Sequence, residues 1–124
     1  MNTAALKAAE LESRFVSFAA EILSISTRLP RTPQGRHICK QLLRSGTATA
    51  ANYGEARGAE SRSDFVHKLG IVLKELNETA IWLELIQRAA LLPATDIVAI
   101  VAENRELSRI ITASVKTARG SISR

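Results

Sequence analysis

The chain has 124 residues, a formal net charge of +5 and an isoelectric point near 10.0, and it is 46% hydrophobic but only 4% aromatic. That length makes a single domain over residues 1–124 with a small core of Leu, Ile, Val and Ala, and the sparse Gly and Pro argue against an all-β protein. No apolar run approaches the roughly 20 residues needed to span a bilayer. The opening MNTAALKAAELESRF lacks the apolar centre of a signal peptide, so a cytoplasmic location with no membrane partner is expected. Cys39 is the one cysteine. It can form neither an internal disulfide nor a Cys-based zinc site, and it fits a reducing compartment.

The first helix is expected over Thr3 to Leu29. Leu11, Phe15, Phe18, Ile22, Ile25 and Leu29 recur at alternating steps of four and three, one apolar stripe. Leu29-Pro30-Arg31-Thr32-Pro33 ends it, because Pro disfavours helix in the residue before it. Thr32 is a fitting N-cap for a second helix from Pro33 to Arg57, with Pro33 at its first position. The centre of that helix, Ser45-Gly46-Thr47-Ala48-Thr49-Ala50-Ala51, is almost all small, which favours close approach of a neighbouring backbone. Gly58 is suited to a left-handed C-terminal position.

Ser61-x-x-Asp64 resembles a capping box and starts a third helix. Its core stripe is Phe65, Leu69, Val72, Leu76, Thr79 or Ala80, Leu83, Ile86 and Ala90. Leu92-Pro93 closes it. A fourth helix begins near Ala94 or Thr95, with Ile97, Val101, Asn104, Leu107 or Ser108, Ile111 and Val115 in register. Gly120 to Arg124 reads as a frayed tail. Short connections make neighbours antiparallel, so the expected fold is an all-α, antiparallel up-down-up-down four-helix bundle.

Polar residues interrupt this pattern at helical spacing. Lys68, Ile71, Glu75, Glu78 and Trp82 form a second stripe on the third helix, and Asn52, Tyr53 and Glu55 stand on the second. A stripe of this kind is commonly a solvated lattice with pairs such as Lys74–Glu78, worth tenths of a kcal/mol. Ile71 and Trp82 prefer burial, however, which favours a polar network or subunit interface made of Asn52, Tyr53, Glu55, Lys68, Glu75, Glu78 and Trp82. Glu84 and Glu103 serve as ordinary exposed acids for comparison.

The motifs Arg44-Ser45, Ala51-Asn52-Tyr53, Glu55-Ala56-Arg57, Asp64-Phe65, Lys68-Leu69 and Lys74-Glu75-Leu76 through Glu78-Thr79 to Trp82-Leu83 resemble the bacterial four-helix-bundle family of ribosomal RNA intervening-sequence proteins. Many members carry Asn-Ile-Ala-Glu-Gly at the end of the second helix and Gly-Ser ahead of a Glu-Leu pair. This chain has Asn52-Tyr53-Gly54-Glu55-Ala56 and Lys74-Glu75 instead, so it resembles a Tyr/Lys-Glu subgroup. The resemblance implies a homo-oligomer. A pentamer is implied by the relation of that family to the basic, ring-shaped accessory protein of diversity-generating retroelements.

The charge is segregated. Residues 28–62 hold seven basic groups against two acids, and residues 104–124 hold five against one. In the expected topology Arg28, Arg31, Arg36 and Lys40 occupy one end, and Arg57, Arg62, Lys116, Arg119 and Arg124 the other. Those clusters suit an anionic partner, RNA or DNA, contacted through its backbone with little sequence selectivity. The alternatives are an acidic partner protein, or a surface whose charge bias binds nothing. Tyr53 beside Arg57 is the one candidate for stacking on bases, and packing is the favoured reading of it. Asp64-x-x-His67 occurs once where a di-metal bundle needs its Glu-x-x-His twice, and Asp64 serves as a cap. His37 and Cys39 point to different helix faces, and Gly46, Gly54 and Gly58 match no nucleotide-binding fingerprint. The expectation is a protein with no enzyme activity, catalytic residue, metal or cofactor.

Overall fold

Four helices build the chain: α1 (Thr3–Ser26), α2 (Pro33–Arg57), α3 (Arg62–Arg88) and α4 (Ala94–Ile122). The computed structural model describes residues 3–122, with only the backbone described for 121 and 122. Successive helices pack side by side, and α1 closes on α4 in the loosest of the four pairings. The result is the expected all-α, antiparallel up-down-up-down bundle. No helix is long and apolar enough to cross a membrane.

The stripes read from the sequence meet in the centre. Phe15, Phe18, Ile22 and Ile25 of α1 join Leu42 of α2, Leu69, Leu76, Leu83 and Ile86 of α3, and Ile97, Leu107 and Ile111 of α4. Thr79, not Ala80, takes the inward position on α3, and Leu107 rather than Ser108 does so on α4. Ser45, Thr49, Thr79 and Asn104 are also buried, so the core has polar members at mid-height.

The helix ends depart from expectation in instructive ways. α1 stops at Ser26, three residues before Leu29. Ser26 and Thr27 turn their hydroxyls onto the carbonyls of Leu23 and Ser24, and the amides of Arg28 and Leu29 reach back only to Ile25 and Ser26. Local hydroxyl bonds of this kind compete with the helical ladder. Leu29 remains buried although outside the helix.

Thr32 caps α2 as expected, accepting from the Gly35 N–H at 3.0 Å. A Cβ on Gly35 would stand 1.9 Å from the Pro30 carbonyl oxygen, so the turn lies directly on the first turn of α2. At Gly46 a Cβ would lie 2.8 Å from the Ile22 side chain. The small centre of α2 thus admits a side chain of α1 rather than a backbone.

Gly58 is not left-handed: its φ is −93°, and α2 ends with the Gly58 amide bonded to the Glu55 carbonyl at 3.1 Å. The left-handed residue is Ala90, at φ 52°, after α3. There the Leu91 N–H bonds to Ile86 O and the Ala90 N–H to Gln87 O, the two bonds of a Schellman motif. Ala90, expected in the core stripe, is therefore an exposed cap residue. At the start of α3, Ser61 accepts from the Asp64 N–H at 3.0 Å, while the Asp64 carboxylate accepts from Glu60 N–H at 3.4 Å instead of from Ser61. α4 stays helical through Gly120 to Ile122, where a frayed tail was expected; residues 123 and 124, including Arg124, lie outside the described residues.

Candidate functional site

Arg44 organises the polar face between α2 and α3. Its Nη1 donates to Glu75 Oε2 at 2.9 Å, and its Nη2 donates to Glu78 Oε2. Glu75 and Glu78 are three residues apart, so both carboxylates leave α3 on the side facing α2. One turn further along, the Trp82 indole N–H donates to the same Glu78 oxygen at 3.1 Å. The His37 ring of α2 meets Trp82 edge-on, with centroids 6.0 Å apart. Beneath this row, Thr79 Oγ1 lies 2.8 Å from the Glu75 carbonyl and 2.9 Å from Ser45 Oγ. A hydroxyl has one proton, so Thr79 donates to the carbonyl and accepts from Ser45.

The electrostatics follow from burial. Glu75 is only 5% exposed, whereas the Arg44 side chain is 51% exposed. The guanidinium therefore covers a buried carboxylate from the outside while staying partly hydrated. The Trp82 N–H, and after it Arg44, hold the Glu78 carboxyl below the ordinary glutamate range. Donating to Glu78 and Glu75 in turn pushes the Arg44 pKa up. The row is a chain of ion pairs and hydrogen bonds running from Arg44 through Glu75 and Glu78 to Trp82. It locks the rotation and register of α2 against α3 and carries Trp82, half-buried, to the surface beside the exposed Ile81 and Leu85.

The residues named from the sequence divide into three groups. Glu75, Glu78 and Trp82 join this network. Lys68 and Glu55 form a separate pair at 3.8 Å, and Asn52 Nδ2 donates to its own helix at Ala48 O, 2.8 Å. Tyr53 lies elsewhere: it is buried and stacks on Phe15 with centroids 5.0 Å apart and an interplanar angle of 20°. Burial raises its hydroxyl pKa, Arg57 opposes the rise and Glu12 adds to it. Arg44 and His37 are members that sequence reasoning did not assign to the network. Arg44 stands in the resemblance motif, but nothing local shows that it points at α3. Glu103 is no neutral reference acid either. It takes two bonds from Arg14, at 2.7 and 2.8 Å, and these tie α1 to α4.

The basic ends form as expected, with part of their charge already paired. Arg28 lies 3.4 Å from Asp96 at one end, and Arg57 lies 2.6 Å from Glu12 at the other. Arg36 donates to the Arg31 carbonyl at 3.1 Å. Arg31, Arg36, Lys40, Arg62, Lys116 and Arg119 are exposed and make no ion pair among the described residues. Also among the described residues, no three His, Cys, Asp or Glu side chains gather as metal ligands would. Cys39 is half-buried, its Sγ 3.6 Å from the Ser26 carbonyl.

Fold and network together define a small antiparallel four-helix bundle with a braced α2–α3 face and cationic ends. The profile of the 23S rRNA-intervening sequence protein family matches residues 9–113, and the chain belongs to that family. It is similar to the crystal structure of a protein of unknown function from the S23 ribosomal protein family of Bacteroides thetaiotaomicron, with 34% identity and a TM-score of 0.82. That match covers 89% of this chain and 98% of the other. Among curated proteins nothing matches this chain.

Proposed function

We propose that this protein is a non-enzymatic, self-associating scaffold that binds nucleic acid, RNA by preference, through its two cationic ends. The observation that carries the reading is the separation of charge. Among the described residues six exposed cations at the ends make no ion pair, while Glu12, Glu75, Glu78, Asp96 and Glu103 are each held in one. Unpaired cations repeated at fixed positions attract a polyanion through its phosphates and release counterions on binding. Membership in a family described by ribosomal RNA intervening sequences favours RNA over DNA.

The part-exposed Trp82, with Ile81 and Leu85 beside the braced network, supports the self-association in this reading, and a ring of five is what the family relation implies. A ring would repeat each basic end around its axis and raise avidity without improving any single contact. Fluorescence anisotropy with structured RNA, single-stranded RNA and duplex DNA at two salt concentrations tests the reading. Binding that weakens steeply with salt, and that falls when Arg31 and Arg36 are both reversed to Glu, is the expected result. No binding at low salt would favour the alternative, an adaptor for an acidic partner protein. Mass measurement in solution tests the assembly, and a strict monomer would remove that part of the proposal.

A further inference from the structure

The α1–α4 seam, the loosest in the bundle, opens toward the end that holds the N-terminus of α1. An apolar groove of about 890 Å³ runs there, with Ala8 and Leu11 of α1 facing Ile110 and Ala113 of α4 over a floor of Tyr53 and Phe65. Its lining extends along α1 from Ala4 to Arg14. Ten residues of helix rise about 15 Å, so the groove is elongated rather than round. Neutral polar residues are few: Ser114 and Thr117 on one wall, and Tyr53. Such a lining favours apolar contact over the dense hydrogen bonding that a nucleobase edge or an extended peptide backbone asks for.

The charged members of the lining are Lys7, Arg14 and Arg62 against Glu10. Arg14 is committed to Glu103. Lys7 and Arg62 are exposed and make no ion pair among the described residues. Glu10 likewise makes no ion pair among the described residues, so the uncommitted charges of this elongated apolar trough are two cations against one acid, a net positive rim complementary to a flexible hydrocarbon chain with an anionic head.

We propose that this groove binds a long-chain carboxylate or similar anionic single-chain amphiphile, its tail along Leu11, Phe65 and Ile110 and its head at Lys7 and Arg62. The tail needs no hydrogen bonds, and its flexibility suits a trough walled by small residues. The site is separate from the α2–α3 network, and it shares only Arg62 with the cations proposed for RNA.

Native mass spectrometry and isothermal titration of the full chain with dodecanoate, below its micellar range, test this. One dodecanoate per chain is expected, with dodecylamine at least tenfold weaker because its head carries the wrong sign. Ala8→Phe and Ala113→Phe fill the trough from opposite walls. Each should weaken dodecanoate at least tenfold while circular dichroism reports unchanged helix content. Lys7→Glu with Arg62→Glu should also weaken it and bring dodecylamine level. No dodecanoate binding to the parent chain would overturn the proposal, as would equal binding of the two amphiphiles or full binding by both folded Phe variants. An acidic amphipathic helical peptide that binds while dodecanoate does not would overturn it in favour of a protein ligand. RNA binding by Ala113→Phe at the parent level would show that the groove and the RNA reading stand or fall separately.

Discussion

Replacing Arg44 by Ala strands the Glu75 carboxylate between α2 and α3, where it is 5% exposed. Removing one partner of a buried ion pair costs about 3–5 kcal/mol. Arg44 is itself 51% exposed, so water already screens part of the attraction, and the expected loss is nearer ~2–3 kcal/mol. Glu75→Ala should cost less, about 1–2 kcal/mol, because the guanidinium can turn to solvent and keep Glu78. The two changes share one interaction. The double variant should therefore lose less than the sum of the singles, with a coupling of about 1–2 kcal/mol. Glu84→Ala is the reference: its partner Arg88 is exposed, and the loss should stay within about 0.5 kcal/mol. Urea unfolding at one fixed protein concentration measures all four variants, since assembly would make the midpoint depend on concentration. An Arg44→Ala curve indistinguishable from that of Glu84→Ala would refute the view that this network holds α2 to α3.

Five further substitutions each probe a single contact. Gly35→Ala should destabilise by about 3 kcal/mol or more because its Cβ would overlap the Pro30 carbonyl, whereas Gly46→Ala should cost about 1–3 kcal/mol as the Ile22 side chain shifts; thermal melts rank the two. Ala90→Gly removes the left-handed strain after α3 and should stabilise by about 0.5–1 kcal/mol, so a lower melting temperature would contradict the cap assignment. Asn104 is buried and its Nδ2 meets no acceptor among the described residues, so Asn104→Leu, similar in shape, should raise the melting temperature by the equivalent of about 1 kcal/mol. The depressed Glu78 pKa contributes stability that is present above the unfolded glutamate value and lost as pH falls through the lower folded value. Trp82→Phe removes the principal hydrogen bond and should flatten that acid limb in denaturation curves taken across the acid range.

The sequence alone determined the helices, their order and their inward stripes. Helical periodicity and capping are local: Phe15, Phe18 and Ile22 share a face, and Thr32 and Ser61 reach amides three residues on, whatever the rest of the chain does. Charge at the two ends was equally legible, because short turns oblige neighbouring helices to run antiparallel. The network was legible only on α3, where Glu75, Glu78 and Trp82 declare themselves by spacing. Its organiser, Arg44, stands 31 residues from Glu75, and its reach depends on the rotation and axial offset of two packed helices. The same dependence took Tyr53 out of the network and stacked it on Phe15, and left the α1–α4 seam open where the other seams close. The left-handed cap fell at Ala90 rather than Gly58 because the chain must turn sharply after α3 to bury Leu92, while the α2–α3 turn closes without positive φ. Long-range pairing is set by how whole faces pack, and that becomes definite only when all four helices are in place.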